Sequence, residues 1–239
     1  MRKKVLVMIV VILFILFFVF LYYGIHLKGI AKIRDYIEIT GIFDGECTLN
    51  IPKIVSKTDY NNNGIPDSED ILIGARKDVS NKPTYVSKYY AGGYPPDNEG
   101  VCTDVIWRAL KEAGYNLKDM VDADIKNNVQ AYPRVEGNPD PNIDFRRVPN
   151  LKVFFDRNYE KLTTEIIPND IQNLSEWQGG DIVIFGNSGE HIAIVSDKRN
   201  KYGVPYIIHN AGPTTKEVNE LEYWNDYISP IVGHYRISK

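Results

Sequence analysis

The period of the apolar residues changes in the last third of the chain, and this change restricts the fold more than any other feature. Four short β-branched runs, GGDIVIFGN, EHIAIVSDK, PYIIHNAG and IVGHYRIS, are separated by turn residues. Such runs predict an antiparallel meander. Further upstream, apolar residues recur at helical spacing in SEDILIGARKDV and CTDVIWRALKEAG. Helices followed by a sheet predict an α+β domain and not a doubly wound one.

The N-terminus carries a targeting signal. A basic RKK at positions 2–4 precedes an uncharged run over residues 5–23, and a helix of that length covers the roughly 30 Å hydrocarbon core of a bilayer. The basic flank predicts a cytoplasmic N-terminus. A cleavable signal peptide is the alternative, although its apolar region is usually shorter and ends in small residues. We expect residues 1–24 to be a single-pass anchor in a bacterial cell membrane, with the rest of the chain extracytoplasmic.

The remainder of the chain divides into a linker and one domain. Residues 25–55 are mixed and weakly periodic, which indicates a juxtamembrane linker. We assign residues 56–239 to a single folded domain, because hydrophobic residues are 44% of the chain and a packed core is feasible. The net charge of -3 and the lack of a basic stripe in the sequence argue against nucleic acid as a partner.

Cys102 lies at the start of the second helical pattern and is one of two cysteines. It could form a disulfide with Cys47 outside the cell, although a domain of this size does not need one. The unpaired N–H groups and the dipole of a helix N-terminus lower the pKa of a cysteine. Asp104 in the same turn opposes that effect, so a second activator would be required. A histidine is the usual one.

Two histidines are placed where they could supply that activation. His191 opens HIAIVSD and His209 ends YIIHN. Because side chains alternate along a strand, the imidazoles can be neighbours on one sheet face if the two strands pair. One imidazole could then take the proton of the thiol while the other imidazole orients the first, as in a catalytic triad. His234 in GHYRIS is an alternative third member. The competing interpretation is structural, with a packed cysteine and hydrogen-bonded strand histidines.

Four motifs resemble those of the NlpC-type branch of the papain-like cysteine peptidases, which are bacterial cell-wall enzymes. In chain order these motifs are GVCTDVIWRAL, GGDIVIF, HIAIVSD and IIHNAG. The resemblance implies a papain-like fold in which the helix carrying the cysteine packs on an antiparallel sheet. It matches Cys102 to the nucleophile, His191 to the base and His209 to the orienting residue. YYAGG resembles the segment whose tyrosine helps to bind the oxyanion, and points to Tyr89, with Tyr90 as the alternative.

A second resemblance is more specific. Six motifs are similar to the characteristic motifs of a bacterial domain family of unassigned function, within or near that superfamily. They are GVCTDV, PDPNIDFRRVPNL, GGDIV, HIAIVSD, HNAG and GHYR. These motifs extend over residues 85–236. One departure matters, because the common DCSG of the superfamily is VCTD here. The substrate preference of the superfamily therefore cannot be assigned to this chain from the resemblance.

The stretch DYNNNGIPDSED, residues 59–70, resembles a calcium-binding loop of the extracellular dockerin-like type. Oxygen side chains stand at its first, third, fifth, ninth and twelfth places, with a glycine at the sixth and a backbone carbonyl at the seventh. The expected ligands are Asp59, Asn61, Asn63, Ile65 through its carbonyl, Asp67 and Asp70. The alternative is an ordinary Asn-Gly turn before a helix capped by Asp67. We expect calcium with a structural role, and no organic cofactor.

Arg146 and Arg147, in NIDFRRVPN, are candidate substrate ligands. Arginine binds carboxylates through paired hydrogen bonds, and bacterial stem peptides are rich in carboxylates. A salt bridge that orders the proline-rich insertion, with Asp144 close by in sequence, is the alternative.

Together these features predict a membrane-anchored cysteine hydrolase that cleaves amide bonds in peptidoglycan peptides through a Cys-His-His triad. A thiol-dependent acyltransferase or esterase on the same fold is one alternative, since a fold does not fix its chemistry. A non-catalytic module that binds the cell wall is another.

Overall fold

The helical and strand patterns appear in the predicted order in the structure, a computed structural model that describes residues 45–186 and 191–237. The helices are α1 (Asp67–Asn81), α2 (Cys102–Glu112), α3 (Leu117–Asn128), α4 (Val148–Asn158), α5 (Ile171–Ser175) and α6 (Leu221–Tyr223). Shorter helical turns cover Val129–Ala131, Asp144–Arg146 and Trp224–Ile228. The strands are β1 (Thr84–Tyr85), β2 (Glu99–Gly100), β3 (Glu160–Lys161), β4 (Ile182–Phe185), β5 (His191–Arg199), β6 (Pro205–His209), β7 (Lys216–Val218) and β8 (Ile231–Arg236).

The main sheet confirms the α+β class with antiparallel strands. Its order is β3-β8-β4-β5-β6-β7, and each neighbouring pair is antiparallel. The strands β4, β5 and β6 form a meander as predicted, and β7, which the sequence did not indicate, extends it. The fourth predicted run, β8, does not follow β6 in the sheet but returns to pair with β4 on its other side. β1 and β2 form a separate two-residue parallel pair.

The central strands are buried on both faces, which explains why they are almost continuously apolar in sequence. One face packs against the helices, and its buried residues include Ile182, Ile184, Ile192, Ile194 and Ile208. The other face packs against a smaller layer, and its buried residues include Val183, Phe185, Ala193, Val195 and Ile207. The sheet therefore separates two apolar clusters, and its strand ends are where groups from both sides can meet.

Helix α2 is the central helix of the first cluster. Its apolar stripe, which includes Val105, Ile106 and Ala109, is fully buried. Helix α1 crosses it closely at Gly74, because a Cβ atom there would lie 2.8 Å from the Cα of Ala109. The helix ends before Gly114, whose φ of +88° favours glycine and gives the predicted stop.

Residues 45–55, expected to be part of the linker, belong to the folded unit instead. The Gln178 side chain accepts a hydrogen bond from the Ile54 N–H at 3.0 Å and donates one to the Pro52 carbonyl at 2.9 Å. Leu49 and Ile51 pack on the second apolar cluster. This segment is extended and irregular, so it has no period that a sequence reading could detect, and the boundary moves from residue 56 to about residue 45.

The expected membrane anchor, residues 1–24, lies outside the described residues, as does most of the expected linker. Among the helices of residues 45–186 and 191–237, none is long and apolar enough to cross a bilayer. The anchor stays a prediction.

Candidate active site

Helix α2 brings Cys102 to the beginning of β5. Cys102 is the first helical residue, and its sulfur accepts hydrogen bonds from the backbone N–H groups of Ile192 and Thr103. Ile192 is the second residue of β5, so the helix and the sheet meet at the sulfur atom. The side chain is 7% exposed, and the cysteine is a free thiol, as is Cys47. The two cysteines therefore form no disulfide.

The thiol is not activated in the way that the sequence predicts. Burial raises the pKa of Cys102 to about 11, with a further contribution from the Asp104 carboxylate, although the backbone N–H donors oppose the shift. The expected lowering by the helix N-terminus is therefore wrong, because desolvation of the charged form outweighs the dipole and its N–H groups. At neutral pH Cys102 is a neutral thiol, and its reactivity depends on a base that can take the proton.

His191 and His209 lie side by side, as the alternation of side chains predicts. Strands β5 and β6 pair with Ile194 opposite Ile208, and His191 Nε2 is 2.9 Å from His209 Nδ1. Burial lowers the pKa of His191 to about 3, helped by the nearby His209, and that of His209 to about 4, helped by Lys216. Both imidazoles are therefore neutral at pH 7, and one ring nitrogen donates to the other.

The thiol and the first imidazole are linked through the backbone at the start of β5. His191 directly precedes Ile192, the residue whose N–H donates to the Cys102 sulfur. The Nε2 atom of His191 is used by His209, so Nδ1 is the ring nitrogen that this bond leaves over. Within the described residues no hydrogen bond occupies that Nδ1 atom. The structure thus places His191 beside His209, and it places the Cys102 sulfur at the backbone N–H of the residue that follows His191.

Two further residues of the site were missed in the sequence, Trp224 and Glu220. The Trp224 ring stacks on His191, with ring centroids 4.1 Å apart and planes at 17°, and meets His209 edge-on at 5.5 Å. Its indole N–H donates to Glu220 Oε2 at 3.4 Å, and this oxygen is 3.7 Å from His209 Nε2. Both residues lie in an irregular segment before β8, so no period marks them. The cluster of aromatic residues in LEYWNDY was the available signal.

Tyr85 is a tyrosine whose hydroxyl is near enough to Cys102 for the two ionisable groups to affect each other. Burial and the neighbouring Cys102 raise the pKa of its hydroxyl, and the side chain remains 44% exposed. It therefore stands at the solvent side of the site. Its backbone N–H donates to the Pro213 carbonyl at 2.9 Å, which ties β1 to the loop after β6.

Tyr89 and Tyr90, the tyrosines indicated by the resemblance, make other contacts. The Tyr89 hydroxyl accepts from the Asn142 amide at 2.9 Å and pairs with Asp140 at 3.3 Å. The Tyr90 hydroxyl donates to Glu99 at 2.6 Å. In the described part of the chain, neither hydroxyl is among the groups that act on the Cys102 thiol. The oxyanion role expected of Tyr89 stays a prediction.

The expected substrate role of Arg146 does not agree with its position. Its guanidinium donates to both carboxylate oxygens of Asp104, at 2.7 and 2.8 Å, and to the Lys88 carbonyl at 3.0 Å. With these donors engaged in the interior, Arg146 supports helix α2 instead of contacting a substrate. Arg147 is more exposed and pairs with Asp144 at 2.9 Å, so the alternative of a salt bridge in the insertion describes it.

His234 is remote from the thiol. Its Nδ1 faces the Thr163 carbonyl at 2.8 Å and its Nε2 faces Asp181 at 3.1 Å. The ring stacks on Trp177 with centroids 3.8 Å apart. Both ring nitrogens have oxygen partners in the second apolar cluster, so His209, and not His234, is the third member of the site.

The loop of residues 59–70 is closed by hydrogen bonds of its own. Asp59 accepts from the N–H groups of Asn63 and Gly64, and Asp70 accepts from the side-chain amides of Asn61 and Asn63. Asp67 is used by the Tyr60 N–H and the Tyr115 hydroxyl, and Ile65 donates its N–H to Asn63. Among residues 45–186 and 191–237, no group of three or more His, Cys, Asp or Glu residues is arranged to hold a metal. Calcium stays a prediction of the sequence.

These observations define a mixed α+β domain with two buried histidines bonded to each other, and with a buried cysteine whose sulfur lies at the backbone of the same strand, β5. The domain family of unknown function DUF1287 matches residues 72–237, and the chain belongs to this family. It is also 38% identical over 174 residues to the uncharacterized protein YijF of Escherichia coli (strain K12), covering 70% of this chain and 80% of that protein. The family of unassigned function indicated by the motifs agrees with this result.

Proposed function

We propose that the protein is a cysteine hydrolase in which Cys102 is the nucleophile, His191 the base and His209 the residue that orients it. Two observations carry the proposal: His191 Nε2 is 2.9 Å from His209 Nδ1, and the Cys102 sulfur accepts a hydrogen bond from the N–H of Ile192, the residue after His191. A nucleophile, a base and an orienting group in hydrogen-bonding order are the signature of covalent catalysis. A packing role alone would not require two buried imidazoles to be bonded to each other.

The neutral state of the groups fixes how the first step would run. His191 Nδ1 takes the proton from the Cys102 sulfur while the sulfur lone pair attacks the carbonyl carbon of an amide. The carbonyl electrons move to its oxygen, where the Tyr85 hydroxyl and the Cys102 N–H stand as donors. Because burial raises the pKa of Cys102 and lowers that of His191, proton transfer accompanies attack and does not precede it.

The remaining steps return the enzyme to its starting state. Collapse of the tetrahedral intermediate breaks the C–N bond, and His191 gives its proton to the departing amine. Water then attacks the thioester and passes a proton to His191. The acid product leaves with its new C–O bond, and the sulfur recovers the proton from His191.

Peptidoglycan peptides are our proposed substrate, on the basis of the NlpC-type resemblance of the motifs around Cys102, His191 and His209. The same resemblance supports a papain-like arrangement, because a cysteine-bearing helix lies on an antiparallel sheet. The uncharged run at residues 5–23 supports an extracytoplasmic location on a bacterial membrane. The domain would then lie in the same compartment as peptidoglycan, its proposed substrate.

Digestion of purified muropeptides, with products read by mass spectrometry, tests the proposal. We expect cleavage by the wild type and by Cys47→Ser, since Cys47 is outside the site, and none by Cys102→Ala or His191→Ala. Circular dichroism and thermal melting establish that each variant is folded. Cleavage by Cys102→Ala at the wild-type rate would exclude the hydrolase. Acyl-ester substrates in the same assay distinguish an acyltransferase or esterase.

A non-catalytic wall-binding module is a second candidate, and the burial of Cys102 favours it. A thiol with a pKa of about 11 is protonated at neutral pH, as in a cysteine that only packs. This candidate predicts that folded Cys102→Ala binds muropeptides like the wild type and that neither protein releases products. The digestion above distinguishes the two candidates.

A further inference from the structure

Glu220 lies at the far end of the line of side chains that begins at Cys102. Its Oε2 atom is 3.7 Å from His209 Nε2, and it accepts a hydrogen bond from the Trp224 indole at 3.4 Å. The carboxylate is 26% exposed, whereas His209 is buried. A carboxylate that remains in contact with solvent therefore faces the buried histidine pair at His209 Nε2.

We propose, on the assumption that the site is the hydrolase described above, that Glu220 is a positioning residue that fixes which nitrogen of His209, and through it of His191, carries the proton. An ionised carboxylate can only accept hydrogen bonds. The His209 nitrogen that faces it, Nε2, therefore keeps its proton.

The consequence is transmitted to the thiol through the hydrogen bond between the imidazoles. A neutral His209 with a proton on Nε2 has an unprotonated Nδ1, which must accept from His191 Nε2 at 2.9 Å. His191 then has an unprotonated Nδ1, the form needed to take the proton from Cys102. If His209 instead carried its proton on Nδ1, His191 would hold its proton on Nδ1 and could not act as a base.

Glu220 also acts on the charge that forms during catalysis. One proton moves from the Cys102 sulfur to His191 Nδ1, and the other imidazole protons stay where they are. The new positive charge on His191 is next to His209, which faces Lys216 from β7 and Glu220 from the segment before α6. Lys216 disfavours this charge and Glu220 favours it, while the oxyanion that forms as the Cys102 sulfur attacks compensates for it from the other side.

Nuclear magnetic resonance of the imidazole nitrogens tests the proposal without a substrate. Long-range proton–nitrogen spectra distinguish protonated from unprotonated ring nitrogens. At pH 7 we expect the wild type to carry the proton on Nε2 of both His191 and His209. Glu220→Gln should keep this pattern, because the side-chain amide oxygen can still accept, whereas Glu220→Ala should give a mixture of tautomers.

Asp226→Asn is the matched control, since it removes an exposed carboxylate from the next helical turn, where Asp226 accepts from the Asn225 amide at 2.7 Å, and it should leave the spectra unchanged. A wild-type His209 protonated on Nδ1, or a Glu220→Ala spectrum identical to that of the wild type, would overturn the proposal. If Glu220→Ala does not fold, Glu220→Leu is measured in its place with the same expected mixture.

Kinetics with muropeptides provides the second test. We expect Glu220→Ala to lower kcat roughly tenfold or more, since His191 would no longer be held in the form that acts as a general base, with a smaller effect on KM, and Glu220→Gln to retain more activity. A wild-type kcat in Glu220→Ala would contradict the role of Glu220 in catalysis. Activity that survives Cys102→Ala would instead refute the hydrolase itself, while the tautomer measurement would still decide how Glu220 acts on the histidines.

Discussion

The guanidinium of Arg146 forms two parallel hydrogen bonds with the carboxylate of Asp104, at 2.7 and 2.8 Å, and both groups are almost completely buried. The same carboxylate accepts from the Val101 N–H at 2.8 Å. It also accepts from the Trp107 indole at 2.8 Å. One ion pair thus joins the insertion that carries Arg146 to the first turn of α2, the turn that presents Cys102.

We predict that Arg146→Ala destabilises the fold strongly and weakens the site. The variant leaves the Asp104 carboxylate buried without its cation, and loss of one partner of a buried pair costs about 3–5 kcal/mol. Urea unfolding measures the change in the free energy of unfolding. The matched control is Arg157→Ala, because that guanidinium pairs with Asp124 at the surface, and it should change the unfolding midpoint little. Equal stability of the two variants would contradict the role assigned to the buried pair.

The buried histidines predict a loss of stability in acid. Burial lowers the pKa of His191 to about 3 and of His209 to about 4, below their usual value of 6.5. A group whose pKa is lowered by folding is more easily protonated in the unfolded chain, so its contribution is complete above pH 6.5 and is lost as the pH falls toward 3. Each unit of difference corresponds to about 1.4 kcal/mol, and the expected loss is a few kcal/mol.

Thermal melting between pH 7 and pH 4 measures this effect. The wild-type melting temperature should fall over this range, and the fall should be shallower in His209→Gln, which cannot be protonated at that position. The comparison depends on the slope, so a lower starting stability of the variant does not affect it. Parallel slopes in the two proteins would show that His209 is not held neutral by folding.

Part of this site follows from local periodicity, and that part was predictable. The helical pattern places Cys102 at a helix start, and strand alternation places His191 and His209 on one face. Each of these two placements depends only on the pattern of residues close in sequence to the cysteine or the histidine. The pairing of the two strands that carry the histidines could also be predicted, because consecutive strands usually neighbour each other in a sheet.

The rest depends on burial and on contacts between distant segments. Arg146 and Asp104 are 42 positions apart, and no pattern in the sequence selects this partner over Asp144. The pKa of Cys102 depends on how deeply the sulfur is covered, which local spacing does not give. Tyr85 lies near Cys102 because β1 is hydrogen-bonded to the loop after β6. That contact joins distant segments, and the local motif YYAGG, which indicated Tyr89 or Tyr90, could not predict it.

Trp224 is expected to keep water from the imidazole of His191. Its ring stacks on His191 with centroids 4.1 Å apart, and desolvation is the main cause of the low pKa of that histidine. Trp224→Ala should therefore raise the pKa of His191 toward its usual range, whereas Trp224→Phe should preserve most of the shift. Titration of the His191 ring resonances measures the pKa directly. An unchanged pKa in Trp224→Ala would mean that other residues exclude the water.

The Tyr115 hydroxyl is predicted to stabilise the loop before α1. It donates to the fully buried carboxylate of Asp67 at 2.7 Å, and that carboxylate also accepts from the Tyr60 N–H at 2.8 Å. Tyr115→Phe leaves an acceptor of Asp67 without its partner at an expected cost of about 1–3 kcal/mol. Tyr227→Phe is the control, because this ring is well exposed and its hydroxyl should contribute little. Chemical unfolding of both variants, with and without calcium, gives the comparison. Equal unfolding free energies for Tyr115→Phe and the wild type would show that the hydrogen bond to Asp67 does not hold the loop.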